Sequence, residues 1–407
     1  MSPHWLFPAQ LTFSPSKEAG ELHQPEPPVG DGDARRQQRF ADRLLDLSNS
    51  GSLALMVSVG HRTGLFDTMA SLPPATSVEI ADNACLDERC VREWLAAMAT
   101  GRIVEHDPVA MTFALPAEHA ACLTRAAGPH NSAVAFQLLG MFAAAEDRVV
   151  ECFHRGGGVA DSEYPRFQEI CAEIGWANLD ANLLALTLAL VPGLTDRLRA
   201  GMDVADVGCG AGHAINLMAE AFPASRFIGW DLSEVGLAAG RAEAERKQLA
   251  NVSFERRDVA VLDQHERFDF ITTFDAVHDQ ARPDLVLKAI AAALRAGGTY
   301  LCVEVGASST LANNLDIPWA PTLYTASCMH CLCVSRQNGG MALGAMWGEE
   351  RARQMLGEAG FASLHVERSP VDPVNKYYIA TKTGALGGQP VVETQCSPPP
   401  PAHASRR

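Results

Sequence analysis

An α/β fold is predicted for this chain. An open, doubly wound, mainly parallel sheet makes up its second half, behind a smaller helical unit that ends in a β-wing. Three observations carry this reading. From residue 202 onward, apolar strand-like runs alternate with helical stretches, the pattern of repeated βαβ units. The first of these strands runs into a glycine-rich turn that opens a helix. Between about residues 37 and 125 the periodicity is instead helical, and it closes on two short strand-like runs around a turn.

In the first half, Thr76-Ser77-Val78-Glu79 has the form of a capping box opening a short helix with Ile80 inward. A second helix is expected around 87–100, where Val91, Trp94, Leu95 and Met98 recur at helical spacing and Gly101 ends the run. Ile103-Val104 and Phe113-Ala114-Leu115 flank Asp107-Pro108, a turn between two strands. Helix, helix and hairpin together suggest a winged helix. Its presumptive recognition helix sets Asp87, Glu88 and Glu93 against Arg89 and Arg92. It therefore has no basic bias, and dimerisation or shielding of a substrate suits it better than DNA binding. Helical segments are expected to continue through 131–154 and 166–200.

In the second half, strands are expected at 203–207, 226–230, 252–255, 268–273, 299–303, 363–366 and 376–381. Helices at 214–221, 237–248, 285–294 and 349–359 separate most of them. No helix fits between the last two strands, so these should pair antiparallel. The long stretch 306–348 between a strand and a helix reads as a cap over a substrate, with Trp319, Tyr324, Met329 and Trp347 to hold a flat or greasy molecule. The ends, 1–36 and 384–407, are rich in Pro and Gly without apolar periodicity and read as disordered tails.

Composition narrows the function. Of the 407 residues 47% are hydrophobic and 20% charged, and the formal net charge is −15. Such an acidic chain repels phosphate backbones, so nucleic acid is not an expected partner. The longest apolar run, 183–191, is about half of what spans a bilayer, so no membrane is expected either. Eleven cysteines without framework spacing, and no secretory signal, fit a cytoplasmic protein. Cys328-Met329-His330-Cys331-Leu332-Cys333 brings soft ligands together, but its spacing matches no paired-ligand template, and no metal is expected.

Ligands in such sheets sit beyond the carboxyl ends of the strands. There the first strand gives Asp206-Val207-Gly208-Cys209-Gly210-Ala211-Gly212-His213. Glycines permit positive φ and close approach of a ligand, and free amides at the helix start would attract a carboxylate or phosphate. A dinucleotide fingerprint needs Gly at position 213, where His stands. Asp206, before the first Gly, favours a cationic amine or sulfonium. Asp231 closes the second strand, where a carboxylate can accept both ribose hydroxyls. Arg257-Asp258-Val259 closes the third, suited to reading an adenine amino group beside an apolar contact.

Asp206 to Gly212, Asp231 and Asp258 resemble the S-adenosylmethionine (SAM) motifs of class I methyltransferases. Leu294-Arg295-Ala296-Gly297-Gly298-Thr299 resembles the turn into that family's fifth strand, and the likeness spans roughly 200–382 in the same order. It implies a Rossmann-like seven-stranded domain at 201–383. The cofactor it implies is SAM, held by Asp206, Gly208, Gly210, Gly212, Asp231, Leu232, Asp258, Val259, Phe274 and Asp275.

Four segments carry a narrower likeness: Gly60-His61-Arg62-Thr63-Gly64-Leu65-Phe66-Asp67, Leu115-Pro116-Ala117-Glu118-His119-Ala120, Glu146-Asp147-Arg148-Val149-Val150 and Met346-Trp347-Gly348. They resemble mycobacterial-type small-molecule methyltransferases with an N-terminal winged-helix domain, here 37–125, joined through a helical region at 126–200. The architecture is similar to that of plant-type O-methyltransferases, whose N-domain dimerises, which implies a homodimer here.

After the fourth strand comes Phe274-Asp275-Ala276-Val277-His278-Asp279. The O-methyltransferase resemblance implies that His278 is the general base for an acceptor hydroxyl and that Glu304 orients it. An imidazole suits that task. The expected function is methyl transfer from SAM to a small molecule, at oxygen. A SAM-binding winged-helix regulator and a catalytically silent homologue are the alternatives.

Overall fold

The computed structural model describes residues 32–369 and 371–383. The tails at 1–36 and 384–407 thus lie outside the described residues, except for 32–36. Those five are not disordered: they begin a helix, Gly32–Thr63, with Asp33 in its first turn, where the helix dipole favours an acid. The chain divides into two compact units at Gly140/Met141, within the helix Gln137–Arg155.

In the first unit, helices Leu65–Ser71, Ser77–Ala84 and Glu88–Thr100 follow the long helix. The capping box forms as expected, with Glu79 N–H donating to Thr76 Oγ1 at 3.3 Å and Thr76 N–H to Glu79 Oε2 at 2.8 Å. Asp87 caps the next helix by accepting the Cys90 amide at 2.9 Å. Val91, Trp94, Leu95 and Met98 then face a core with Val57, Phe66 and Ile80. The wing, β1 (Glu105–Asp107) and β2 (Thr112–Ala114), is antiparallel. Its first strand starts two residues later than expected: the amides of Ile103 and Val104 both donate to the Met98 carbonyl, and Val104 is buried. That pair therefore belongs to the helix terminus and core.

In the second unit, the helix Phe167–Asn182 widens to a π-turn at Leu183–Thr187 and breaks before helix Leu194–Ala200. Pro192 and the left-handed Gly193 (φ 68°) account for the break in what reads as one helical stretch. Among the described residues no single helix is long and apolar enough to cross a membrane; the pair Phe167–Leu190 and Leu194–Ala200 reaches that only together and is bent by 104°. Leu183, Leu188, Leu194 and Leu198 pack into the sheet's core instead.

The sheet has seven strands: β3 (Asp203–Val207), β4 (Arg226–Asp231), β5 (Val252–Arg256), β6 (Phe268–Phe274), β7 (Leu294–Val305), β8 (Phe361–Ser369) and β9 (Asp372–Lys382). Their order is β5-β4-β3-β6-β7-β9-β8. All neighbours run parallel except β9, antiparallel to both β7 and β8. Alternate residues bury on opposite faces. Val204, Phe227, Phe270 and Leu301 face one layer, with the helix His213–Ala221; Ala205, Ile228, Ile271 and Tyr300 face the other, with helices Pro283–Ala293 and Gly348–Glu358. Burial on both faces explains why these strands read as continuous apolar runs. The chain reverses direction across the sheet between β3 and β6, which places the crevice beyond their carboxyl ends.

Candidate functional site

The loop after β3 turns on glycines at φ 68° (Gly208), 53° (Gly210) and 69° (Gly212). Two of them are also sterically required. A Cβ at Gly208 would lie 2.6 Å from the Ala276 Cβ, and one at Gly212 would lie 2.3 Å from the Phe254 ring. Gly210 is open, with Gln168 Oε1 at 3.8 Å as its nearest neighbour. Four amides of the loop itself are already bonded, whereas the free amides are expected at the helix start, from His213 onward. Gly208 and Cys209 donate to the Trp230 carbonyl at 2.8 and 3.1 Å, Gly212 to Cys209 at 2.8 Å, and Gly210 to Asp231 Oδ2 at 2.8 Å. The loop is thus a cradle with space above Gly210, and these four N–H groups are spent on holding its shape.

Asp231 ends β4 and is fixed by two amides, that of Gly210 and that of Ser233, which donates to Oδ1 at 2.7 Å. Leu232, next to it, is exposed; Asp258, two residues beyond β5, caps the turn Val259–Val261 through the Ala260 amide at 2.9 Å, and is exposed beside buried Val259. Asp206 is buried and accepts the Thr272 hydroxyl at 2.7 Å. Burial pushes its carboxyl up to about 7; the hydroxyl bond opposes that shift and the Asp231 charge adds to it. A buried acid in this state would be stabilised in its charged form by a cationic neighbour.

The helix Phe167–Asn182 is fastened to the helix that follows the loop. His213 bonds Glu243 Oε1 through Nδ1 at 2.8 Å and Asp180 Oδ1 through Nε2 at 2.9 Å, and it stacks on Trp176 at 4.7 Å. Burial alone would lower its pKa, but the bonds and charges of Glu243 and Asp180 outweigh it and raise it, so the ring bridges two acids. Cys171 on the same helix is open to solvent yet flanked by protein on most sides, and burial pushes its thiol up to about 12. Asp275 shares that character. It is exposed at φ 49°, strained for a non-glycine residue, and burial, followed by the charge of Glu304, pushes its carboxyl up to about 7. Phe274, half-buried, precedes Asp275 at the end of β6.

Beyond Asp275, the turn delivers His278 onto Glu304 at the end of β7. His278 Nδ1 lies 2.5 Å from Glu304 Oε2, and both residues are buried. Glu304 also accepts the Val277 amide at 2.8 Å and Trp347 Nε1 at 3.3 Å. The carboxylate thus claims Nδ1, and Nε2 lies 3.3 Å from Asp279 Oδ1. Burial lowers the His278 pKa, but the Glu304 and Asp279 charges and then Cys331 outweigh it, leaving the pKa well above the usual imidazole value.

The stretch 306–348 is no plain loop. After a turn at Leu311–Asn314 it forms Ala320–Ala326, a π-turn Ser327–Cys331 and Leu332–Gln337 in succession. It brings Cys331 to His278 and Asp279, with one side-chain ligand atom from each within 4.8 Å of the others. His330 stacks on Phe167 at 4.0 Å and meets the edge of Tyr164 at 4.6 Å.

Residues 198–360 match the methyltransferase domain family, and residues 51–125 match the Rv2258c-like winged HTH domain. The second half is a methyltransferase domain. The winged-helix domain precedes it. A ubiquinone biosynthesis O-methyltransferase of Nitrobacter winogradskyi is 35% identical over 117 residues, 28% of this chain and 41% of that protein. The chain thus spans about two fifths of the length of the curated relatives it matches. Two solved structures share the fold across most of the chain. Human N-acetylserotonin methyltransferase in complex with SAM has a TM-score of 0.61 at 15% identity, covering 84% of this chain and 98% of that one. An O-methyltransferase family protein from Burkholderia thailandensis has a TM-score of 0.58 at 14% identity, covering 85% and 99%.

The sequence-predicted residues of the methyltransferase domain fall into two groups. Asp206, the three glycines, Asp231, Leu232, Asp258 and Val259 follow the ends of β3, β4 and β5; Phe274, Asp275, His278 and Glu304 follow β6 and β7. Thr272, Gln168 and Tyr164 go unnoticed as site residues in the sequence, and His330 is weighed there only as a metal ligand. For Gln168 the signal is weak: the helix Phe167–Asn182 is half-buried along most of its length, so no clean apolar stripe marks which side faces the cradle.

Proposed function

We propose that this chain is a SAM-dependent methyltransferase that methylates an oxygen of a small-molecule acceptor. The observation that carries this is the pairing, across the switch point, of a glycine cradle pinned by Asp231 with the buried His278–Glu304 pair. The cradle fits the cofactor: it is open above Gly210, four of its amides are spent on its own shape, and three acids lie at or just beyond the carboxyl ends of successive strands. Bound there, SAM supplies a methyl group on a positively charged sulfur. In this reading Asp231 accepts the ribose hydroxyls, while Leu232 and Val259 flank the adenine and Asp258 reads its amino group. Gly208, Gly210 and Gly212 allow close approach, Asp206 offsets the positive charge, and Phe274 with Asp275 closes the crevice.

On the acceptor side, His278 takes the hydroxyl proton at Nε2 while Glu304 holds Nδ1 and balances the imidazolium that results. The cleft supplies alignment and excludes water, the main needs of an in-line displacement. Because the His278 pKa is raised, its basic form gains population as pH rises above the ordinary imidazole range, and turnover should rise with it.

The winged-helix domain serves assembly, in this reading, as a homodimer. On the helix Glu88–Thr100, Arg89 pairs with Glu93 and Arg92 with Glu88, leaving no surplus of positive charge for DNA. Phe40, Leu44 and Leu47 stand exposed on the long helix. Ten free thiols among the described residues suit a reducing compartment such as the cytoplasm.

The test is methyl transfer from labelled SAM into a panel of hydroxylated small molecules, read by mass spectrometry, with His278→Ala alongside. Labelled product from the native chain and little from the variant are expected. Equal turnover by the variant would remove His278 from the role of base.

A further inference from the structure

Among the described residues, His278, Asp279 and Cys331 bring one ligand atom each to within 4.8 Å of the others. His278 Nε2 and Asp279 Oδ1 are 3.3 Å apart. Two ligand atoms of a tetrahedral ion with bonds of about 2.0 Å stand about 3.3 Å apart, so this pair already has the spacing of one tetrahedral edge. The Cys331 thiol is a hydrogen-bonding neighbour of both residues. A side-chain adjustment of about 1 Å at most brings its sulfur to a zinc–sulfur bond of about 2.3 Å.

The surroundings of the trio are those of a metal site. Glu304 holds Nδ1 of the same imidazole and is itself fixed by the Val277 amide and the Trp347 indole. A histidine that binds a metal through one nitrogen typically gives its other N–H to a carboxylate, which fixes the ring and its tautomer. The segments that carry the ligands are clamped together. Buried Ser335 donates to the Gln280 carbonyl at 3.1 Å, and the Met341 amide donates to the Ala281 carbonyl at 2.9 Å. A Cβ at Gly340 would lie 2.6 Å from Ala281 Cα, so the two backbones are in close contact. The Cys328–Cys333 run matches no ligand template because only Cys331 in it belongs to the trio; the other two members come from the turn after β6.

We propose that His278 Nε2, Asp279 and Cys331 form a binding site for a zinc ion, and that zinc bound there switches methyl transfer off by occupying the nitrogen that serves as base. The switch rests on the methyltransferase reading above; the metal site does not. Thiolate, imidazole and carboxylate together suit zinc, whereas magnesium and calcium take oxygen ligands. Binding breaks the Cys331 S–H bond, forms the zinc–sulfur bond and releases the proton to solvent. Three protein ligands leave the fourth position to water. With its Nε2 lone pair in the zinc bond, His278 no longer takes a proton from the acceptor.

The experiment titrates the full chain, first stripped by a chelator, with cobalt(II) as a spectroscopic probe and with zinc against a chromogenic chelator. One ion per chain is expected, with a sulfur-to-cobalt charge-transfer band and the visible bands of four-coordinate cobalt. Cys331→Ala should abolish the charge-transfer band, and Cys331→Ala and Asp279→Asn should each weaken zinc at least about 100-fold. Glu304→Gln removes only the orienting carboxylate and should weaken zinc about 10- to 100-fold. Cys328→Ser and Cys333→Ser should bind as the native chain does. Circular dichroism checks folding, and Asp279→Asn, at a half-buried position, decides the matter where Cys331→Ala does not fold. With labelled SAM and a methylated acceptor, one equivalent of zinc should abolish turnover and a chelator should restore it. Absence of the thiolate band, zinc held equally by Asp279→Asn, or zinc lost in Cys333→Ser instead overturns the site. Turnover unchanged or raised at saturating zinc overturns the switch. If no acceptor is methylated without zinc while cobalt still binds through Cys331, the methyltransferase reading fails and the metal site stands.

Discussion

Glu304→Gln separates the orienting role of Glu304 from its bulk. The native carboxylate takes three donors while fully buried: Val277 N–H at 2.8 Å on Oε1, with His278 Nδ1 at 2.5 Å and Trp347 Nε1 at 3.3 Å on Oε2. Glutamine keeps the volume but has one acceptor oxygen. Two donors converge on the Oε2 position, so the amide oxygen should settle there and turn its NH2 toward the Val277 amide. One buried backbone donor then loses its partner, at about 1–3 kcal/mol. For a unit of this size that lowers the melting temperature by about 2–10 °C. The imidazolium formed during proton transfer loses its carboxylate, and exchanging a charge-assisted bond for a neutral one costs about 1–1.5 kcal/mol in the transition state. That corresponds to a fall in kcat of roughly 5- to 13-fold. The carboxylate also raises the His278 pKa, so the ascending limb of the pH–rate profile should move to lower pH in the variant. Melting by near-ultraviolet circular dichroism and single-turnover kinetics at saturating donor read these effects. An unchanged kcat with an unmoved pH profile would refute the orienting role.

Two further outcomes are expected. Asp206 has its carboxyl pushed up to about 7, so the folded chain holds a proton there that the unfolded chain releases near its ordinary value. Its contribution to stability is therefore full below the unfolded pKa and is lost as pH rises toward 7. A sulfonium beside it would favour the charged form and expel that proton. SAM should thus bind more tightly as pH rises from about 6 to 8, while neutral S-adenosylhomocysteine shows a flatter profile; titration calorimetry in buffers of differing ionisation enthalpy reads the proton, and identical profiles for the two ligands would contradict it. Gly212→Ala combines a left-handed backbone with a contact 2.3 Å from Phe254, whereas Gly297→Ala has φ 76° and open space around it. Denaturant unfolding should show a loss of about 1–2 kcal/mol for Gly297→Ala from the backbone alone, and about 2–5 kcal/mol for Gly212→Ala, where overpacking adds to it. Equal losses would mean that Phe254 moves aside freely.

The sheet was legible in the sequence because its strands are buried on both faces and end in residues that only special backbone positions require. Gly208, Gly212 and Asp231 are recognisable one at a time, as each answers to a local rule of conformation or charge. The His278–Glu304 pair could be named from family resemblance, but its 2.5 Å contact depends on β6 and β7 lying side by side. Less was legible wherever function depends on distant segments converging. Cys331 reads as a buried thiol in a helix; only the fold sets it against His278 and Asp279, 52 or more residues earlier in the chain. Likewise the amides of Gly208, Cys209 and Gly210 are held by Trp230 and Asp231, partners on the neighbouring strand whose register no spacing rule supplies. The wing began later than expected because Val104 serves the helical core before the hairpin can claim it.

The most direct measurement is calorimetric titration of S-adenosylhomocysteine into the full chain and into Asp231→Ala. One site per chain is expected, and the variant should bind at least about tenfold more weakly, since it loses hydrogen bonds to a charged acceptor and the anchor of the Gly210 amide. Its circular dichroism should remain native. Absence of binding by the native chain, or equal affinity in the two, would contradict a cofactor site at the ends of β3 and β4.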